Sequence, residues 1–140
     1  CHFEENDEVA LDLQEAANKG VEKFIVVGTD LETSLKAKEL SQIFPEKIFA
    51  TAGIHPHEAI HGTHGIEALL SEGQIVAVGE CGFDFYYDHS PHEEQEKAFR
   101  EQITYAHKFN LPLVIHTREA WNETFKVLDE MEMPSKTVFH

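Results

Sequence analysis

Histidine and glutamate side chains follow or end most of the short apolar segments of this 140-residue chain. These candidates are His55 and His57 after Ile48–Ile54, Glu80 after Ile75–Gly79, His116 at the end of Pro112–His116, and His140 at the end of Thr137–His140. Neutral imidazole and carboxylate groups together suit zinc, manganese or a similar divalent ion. A carboxylate beside an apolar strand is costly to bury unless it is paired, hydrogen-bonded or metal-bound, which strengthens the metal interpretation of Glu80.

A single histidine of this kind is more often a hydrogen-bonded structural or surface residue than a ligand. That ordinary interpretation is kept for the histidines in predicted loops and helices, which are His61, His64, His89, His92 and His107. The joint placement of Glu80, His116 and His140 favours a metal site, because packing alone rarely puts three such groups at strand ends.

Five apolar runs rich in β-branched or aromatic residues predict the strands. They are Phe24–Gly28, Ile48–Ile54, Ile75–Gly79, Pro112–His116 and Thr137–His140. These runs are continuously apolar rather than alternating, which is typical of strands that are buried on both faces of a parallel sheet.

Segments with a helical spacing of apolar residues lie around the predicted strands. The apolar stripes are Leu31, Leu35, Leu40 and Ile43; Phe99, Ile103 and Ala106; Trp121, Phe125 and Leu128; and a weaker stripe of Val9, Leu13 and Ala16 that is closed by Gly20. Thr29 with Glu32 predicts a capping box at one helix start. Ser90 with Glu93 predicts another, with Pro91 at the first helical position.

The alternation of strand and helix predicts βαβ units and a single α/β domain. Parallel strands place all their carboxyl ends on one face of the sheet, where α/β active sites form. We therefore expect candidate ligands that are far apart in sequence to meet on that face. No GxGxxG or GxxxxGK[ST] motif follows a predicted strand, which argues against dinucleotide-binding and P-loop proteins.

Composition argues against several classes of protein. The chain has 26 Asp and Glu against 11 Lys and Arg, a net charge of −15, and it contains 10 His. This acidity argues against a basic patch that grips DNA or RNA, but it does not exclude a nucleic-acid substrate held through bound cations. No apolar run approaches the roughly 20 residues of a membrane helix. Because Cys1 and Cys81 cannot form a disulfide framework, we expect reduced thiols in a cytoplasmic protein without a membrane partner.

We expect residues 1–140 to form one partial domain with both ends truncated. The chain opens on Cys1-His2-Phe3 without Met, and it stops at His140 directly after a strand-like run.

Several motifs together resemble those of one enzyme family. They are Gly28–Asp30, Gly53–His57, Gly79–Phe85, Pro112–Ala120 and Val138–His140, with Cys1–Phe3 similar to the tail of a strand-1 H-x-H motif. In this order they resemble the TatD-type metal-dependent deoxyribonucleases of the amidohydrolase-like superfamily. The resemblance implies a TIM-type (β/α)8 barrel, here reduced to about the first six βα units with strand 1 clipped.

The resemblance also implies roles for individual residues. It makes His2, Glu80, His116 and His140 ligands of two divalent ions (Mg, Mn or Zn), with Glu80 as the bridging, catalytic carboxylate. It places His55 and His57 near the substrate phosphate, and it gives Asp84 and Arg118 a role in binding or positioning the substrate. The first His of the H-x-H pair and the late-strand Asp of the family are absent from the chain, and Glu4, Cys81, Phe83 and Asn122 depart from the usual motif residues.

The activity implied is hydrolysis of phosphodiester bonds, with DNA as the partner and single-stranded or damaged ends attacked in the 3′-to-5′ direction. One alternative is another reaction of the superfamily on an ester, lactone or amide. The other is an inactive metal-binding or scaffold fragment that tends to associate, because an open barrel leaves a sheet edge uncovered.

Ordinary interpretations of the site residues stay open at this point. Arg118 fits an exposed residue at a helix start that pairs with a neighbouring Glu, and Asp84 fits the cap of a turn. Tyr86 and Tyr87 fit packing residues, with base stacking as the functional alternative.

Overall fold

The computed structural model describes residues 2–87 and 89–140, with side chains from residue 7 onwards. Its elements, in chain order, are α1 (His2–Asn18), β1 (Phe24–Val26), α2 (Leu31–Ile43), β2 (Ile48–Ala52), a 3-10 helix (Pro56–His61), α3 (Ile66–Ser71), β3 (Ile75–Asp84), α4 (His92–Phe109), β4 (Leu113–Arg118), α5 (Trp121–Met131) and β5 (Thr137–Phe139).

The five strands form one parallel sheet in the order of the sequence, β1-β2-β3-β4-β5. Each strand pairs with the next, and a helix lies between every two of them along the chain. The sheet curls into a half-barrel with the geometry of a truncated TIM-type α/β fold. All five predicted strands are therefore confirmed, and so is the fold class.

Strand β3 is longer than the sequence predicts. It continues past Gly79 to Asp84, pairing Gly82 with His116 of β4, so Glu80 lies inside the strand and not after it. The backbone at Gly79 and Gly82 has φ of 139° and 133°, conformations that side chains rarely adopt. Glycine is usually a strand breaker, and this signal ended the predicted strand too early.

The predicted apolar stripe of α4 is confirmed, because Phe99, Ile103 and Ala106 are all buried. They join a core that also contains residues of α3, α5 and the inner strands, among them Ile66, Leu69, Leu70, Val78, Phe83, Leu113, Ile115, Val127 and Leu128. This core lies between the sheet and its helices, and it fixes the strands whose carboxyl ends carry the candidate site.

The predicted buried face of α2 is wrong. Ser34 and Ala37 are buried, whereas Leu35 and Ile43 are exposed. The helix approaches the sheet too closely for large side chains. A Cβ atom on Gly28 would lie 2.2 Å from the Ser34 hydroxyl oxygen. Small residues therefore form the contact face, and the larger apolar residues point elsewhere.

The predicted stripe of α5 is split. Leu128 is buried, but Trp121 and Phe125 are about half exposed. Their rings stack at 6.0 Å and both contact Phe139 of β5, with centroids 5.7 Å away in each case. The weaker stripe of α1 buries Leu13 alone among its three predicted residues.

The two predicted helix starts differ in detail. The capping box of α2 is formed by Asp30 and Thr33, one residue after the predicted pair, with Thr33 N–H donating to the Asp30 carboxylate at 2.7 Å. The N-cap residue of α4 is Pro91, whose side chain makes no capping hydrogen bond. The Ser90 hydroxyl instead donates to the His57 carbonyl and accepts from the Ile60 N–H. Ser90 therefore connects the loop before α4 to the 3-10 helix.

The beginning of the chain does not show the strand tail that the sequence suggested, because His2 and Phe3 lie in α1. Local helical hydrogen bonds there replace pairing with a distant strand. Cys1 and the side chain of His2 lie outside the described residues. Within residues 2–87 and 89–140, none of the helices has the length and apolar character of a membrane span.

Replacing Gly82 with alanine tests the close approach of β3 to β4. A Cβ atom there would lie 2.1 Å from the His116 carbonyl oxygen, and φ is 133°. We expect Gly82→Ala to lower the free energy of unfolding by about 3 kcal/mol or more. Gly73→Ala is the matched control, because its φ of 78° is also positive but nothing lies within 4 Å. We expect this control to lower the free energy of unfolding by about 1 kcal/mol. Equal losses in denaturant titrations of the two variants would contradict the packing argument.

Candidate metal centre

Backbone hydrogen bonds between neighbouring strands place the candidate residues at one end of the sheet. Glu80 N–H donates to the Gly28 carbonyl at 2.9 Å, and His55 N–H donates to the Thr29 carbonyl at 2.8 Å. His140 N–H donates to the Ile115 carbonyl at 2.9 Å. Segments up to 85 residues apart in sequence therefore meet at the carboxyl ends of the strands, as predicted.

Glu80 is 7% exposed and lies at the centre of this group. Its Oε1 atom is 3.0 Å from His140 Nδ1 and 3.3 Å from His116 Nδ1. The hydrogen bond from His116 is the main cause that lowers the pKa of Glu80 to about 2, and the bond from His140 adds to it against the opposing effect of burial. The carboxylate is therefore ionised at neutral pH.

Asp84, the last residue of β3, is 1% exposed, and each of its two carboxylate oxygens has two hydrogen-bond partners. Oδ1 accepts from the N–H groups of Tyr86 and Tyr87, both at 3.0 Å. Oδ2 lies 2.9 Å from His57 Nε2 and 3.0 Å from His116 Nε2. Burial alone would raise the pKa of Asp84, but these hydrogen bonds lower it to about 2. Asp84 thus caps a turn and orients two imidazoles at once.

His116 lies between the two carboxylates. Its Nδ1 faces Glu80 and its Nε2 faces Asp84. The hydrogen bond to Glu80 is the main cause that raises the pKa of His116 above its usual value, although burial opposes it. One imidazole therefore contacts both buried carboxylates.

His55 joins Glu80 and His116 in a compact set of potential ligand atoms. One such atom from each residue lies within 4.8 Å of the other two. Burial is the main cause that lowers the pKa of His55 to about 4, with help from the charges of His116 and His57, so the ring is neutral at pH 7. Its Nδ1 accepts a hydrogen bond from His57 N–H at 3.2 Å, so the proton of the neutral ring lies on Nε2.

Arg118 lies at the edge of the centre and is stacked on aromatic rings. Its guanidinium carbon is 4.0 Å from the ring centroid of Tyr86 and 4.9 Å from that of Tyr87. Among the described side chains, no carboxylate forms an ion pair with Arg118. The ordinary interpretation, in which a neighbouring Glu pairs with it, is therefore wrong for the described part of the chain.

His89 was assigned to the structural histidines, but its ring packs against the site. It lies 4.6 Å from the ring of His57 and 5.8 Å from that of Tyr87. The loop after β3 turns back over the strand ends, and the sequence carries no local signal of that return. His92, in contrast, stacks on Phe85 at 3.7 Å and fits a packing role.

Two buried glutamines of α4 support the site and were missed in the sequence. Gln95 accepts from the Asp84 N–H and donates to the Asp84 carbonyl. Gln102 makes the same pair of bonds with the N–H and carbonyl of Ile54, next to His55. Both lie on the helix face that carries Phe99 and the other core residues. A polar residue repeated after seven positions within an apolar stripe is the signal that could have found them.

The structure brings together six of the predicted site residues and places a seventh at their edge. The six are His55, His57, Glu80, Asp84, His116 and His140, and the seventh is Arg118. The side chain of His140 is the most exposed imidazole of the group, and its Nδ1 lies 3.0 Å from Glu80 Oε1. The side chain of His2 lies outside the described residues, so its assignment as a ligand stays a prediction.

A family model described as "TatD related DNase" matches residues 1–140. The chain belongs to this family. The matched residues include three segments that position the site, which are Gly53–His57, Gly79–Phe85 and Pro112–Ala120.

Individual TatD relatives agree with the assignment. The chain is 35% identical over 120 residues to a protein of Rahnella sp. named 3′-5′ ssDNA/RNA exonuclease TatD, covering 83% of this chain and 45% of that protein. It is 36% identical over 122 residues to the Bacillus subtilis protein named uncharacterized metal-dependent hydrolase YabD, covering 84% and 48% of the two chains. The crystal structure of the Escherichia coli TatD homologue YjjV superposes with a TM-score of 0.83 at 29% identity, over 96% of this chain and 54% of that chain. The chain therefore spans about half the length of the relatives it matches.

The lowered pKa of Asp84 makes a pH dependence of stability testable. Asp84 has a pKa of about 2 in the folded protein. Its ordinary value is about 3.9, so its contribution is present above about pH 5 and is lost as the pH falls towards 2. We expect Asp84→Asn to cost up to about 2 kcal/mol of unfolding free energy near pH 6 and about half as much at pH 3. Urea titrations of both proteins with a chelator would measure this, and a difference that does not change with pH would contradict it.

Proposed function

We propose that the chain contributes the core of a divalent-metal site in a hydrolase that cleaves phosphodiester bonds. The observation that carries the proposal is the convergence of a buried carboxylate and two imidazoles at the carboxyl ends of the strands, where Glu80 Oε1 lies 3.0 Å from His140 Nδ1 and 3.3 Å from His116 Nδ1. That edge is where TIM-type barrels assemble their active sites. Family membership supports the same conclusion, because the relatives include a protein named as a metal-dependent hydrolase and others named as exonucleases.

The residues present fit a divalent ion. Glu80 and His116 offer a carboxylate and an imidazole from neighbouring strands, and His140 reaches Glu80 from the end of β5. A divalent ion bound among such ligands would polarise a phosphodiester and make water more acidic, which is the chemistry that hydrolysis of this ester requires. We propose two ions, bridged by Glu80, with His2, His116 and His140 as the remaining ligands in this chain.

The other residues of the site suit an anionic substrate. His55 is neutral and carries its proton on Nε2, so it is a hydrogen-bond donor for a phosphate oxygen. His57 is held by Asp84, and Arg118 has no carboxylate among its described partners. We propose that His55, His57 and Arg118 bind the substrate phosphate. We propose that Asp84 positions the two imidazoles that its Oδ2 atom contacts, those of His57 and His116.

The finer activity that we propose is exonucleolytic cleavage of single-stranded DNA in the 3′-to-5′ direction. Its support is the name of several relatives, 3′-5′ ssDNA/RNA exonuclease, which also makes RNA a candidate substrate. A cytoplasmic location, expected from the cysteines, stays a prediction; the described cysteine, Cys81, is a free and buried thiol.

Removing the carboxylate of Glu80 tests the metal site. We expect Glu80→Gln to lower manganese affinity at least about tenfold and to abolish nuclease turnover, because the amide is a much poorer ligand for a hard cation. Glu93→Gln is the matched control, since Glu93 is an exposed residue in the first turn of α4. Titration calorimetry and elemental analysis measure the metal directly. Unchanged metal stoichiometry in Glu80→Gln would reject the bridging role.

A substrate panel tests the reaction class. We expect the manganese-loaded protein to shorten 3′-end-labelled and 5′-end-labelled single strands from the 3′ end and to leave a simple carboxylic ester and a lactone intact. The length distribution of the 5′-labelled products gives the direction of cleavage. Hydrolysis of the ester or lactone alone would favour another reaction of the superfamily, and absence of any turnover with bound metal would favour a non-enzymatic metal-binding role.

A further inference from the structure

Two tyrosines and an arginine form an exposed surface beside the metal centre. We call Tyr86, Tyr87 and Arg118 the tyrosine shelf. The two rings are perpendicular, with centroids 4.7 Å apart, and the guanidinium lies over both of them. Tyr87 also contacts the ring of His57 at 5.6 Å, edge to face. The shelf is therefore continuous with the imidazoles of the site.

Hydrogen bonds to the buried carboxylate of Asp84 fix the backbone of the tyrosine shelf. The N–H groups of Tyr86 and Tyr87 both donate to Oδ1 of Asp84, whose Oδ2 contacts His57 and His116. Arg118 is the register partner of Asp84 in the sheet, and its carbonyl accepts from the Phe85 N–H at 3.0 Å. One buried carboxylate thus fixes both the tyrosines and the imidazoles, so their relative positions are set before any ligand binds.

Both tyrosine side chains of the shelf are exposed to solvent. Tyr86 is 53% exposed and Tyr87 is 43% exposed, although both lie next to a buried carboxylate. The chain carries a net charge of −15, yet none of the described carboxylates pairs with Arg118. A guanidinium stacked on a ring keeps its N–H donors in its own plane, where they remain available to a phosphate. The shelf therefore places a surface for base stacking next to a group that can bind a phosphate.

We propose that the tyrosine shelf binds one unpaired nucleotide next to the scissile bond. The base stacks on the exposed ring of Tyr86, because the guanidinium of Arg118 and the stacked ring of His89 both lie against Tyr87. Tyr87 supports the edge of this surface, and a phosphate of the same strand accepts hydrogen bonds from Arg118. The terminal base of a duplex is paired with the opposite strand and stacked on its inner neighbour, so it would have to unpair before it could stack on the shelf, which favours single-stranded over double-stranded ends. This inference rests on the proposed function and deepens it, because it names the part of the substrate that the chain recognises and the residues that do so.

Fluorescence of a modified base tests the stacking directly. The probe is a single-stranded DNA decamer with 2-aminopurine at the 3′ end or at the next position, since stacking on an aromatic ring quenches this base. The protein carries Glu80→Gln throughout, so that the strand stays intact. We expect quenching on binding with Tyr86 and Tyr87 present, the same quenching with both replaced by Phe, and loss of quenching with both replaced by Leu.

Affinity for a strand without the base separates stacking from phosphate binding. We expect the parent protein to bind the normal decamer about tenfold more tightly than a decamer with an abasic 3′ nucleotide, and the double Leu variant to bind both equally. Phe49→Leu is the matched control, because Phe49 also carries a cation, Lys23, over its ring at 5.8 Å but lies near the amino ends of the strands. This control should keep the tenfold preference.

The outcomes distinguish the shelf from the proposed function. A double Leu variant that keeps both the quenching and the preference for the base would overturn the shelf, whatever the activity of the enzyme. Quenching that requires the tyrosines, in a protein that never cleaves DNA with bound manganese, would support the shelf and reject the proposed hydrolysis. Circular dichroism of each variant tests whether the protein is still folded, so that a lost fluorescence signal can be assigned to lost stacking.

Discussion

Two buried carboxylates, Glu80 and Asp84, impose the main physical constraint on this structure. A charge removed from water is stable only when hydrogen bonds or opposite charges replace its hydration. Here three imidazoles and two backbone N–H groups do so, and the pKa of each carboxyl is lowered to about 2 as a result. The segments that follow the strands must therefore adopt conformations that place hydrogen-bond donors next to these carboxylate oxygens.

Close approach of the backbones makes that delivery possible. Glycines stand where strands or α2 come too near for a Cβ atom: one on Gly53 would lie 2.6 Å from the Gly79 backbone, and one on Gly82 would meet the His116 carbonyl. Helix α4 then fixes the two segments that carry site residues, with one buried glutamine for each segment. The site therefore depends on small and polar residues of the supporting elements as much as on its own imidazoles and carboxylates.

The sequence predicts the strands and the meeting of their ends well, because continuous apolar runs and strand–helix alternation are local signals with one common topology. It predicts the contact face of α2 poorly, since the close approach at Ser34 depends on glycines elsewhere in the chain. The same limit applies to His89 and to Gln95. Their partners, His57 and Asp84, are chosen by how the loop after β3 and helix α4 pack. The polar repeat of α4 marks Gln95 as buried but does not indicate its partner, and no local pattern marks His89.

The acidity of the chain restricts how a nucleic acid can bind. Of its two arginines, Arg100 is neutralised by Glu96 and Glu130, and lysines such as Lys38 and Lys108 also pair with glutamates. A long phosphate backbone therefore meets mostly negative or neutral surface in the described part of the chain, which disfavours binding along a duplex. Attraction is concentrated at the carboxyl ends of the strands, where Arg118 and divalent cations would act together. Such a charge distribution favours contact with one or a few nucleotides at an end of a strand, as the proposed exonucleolytic cleavage would require.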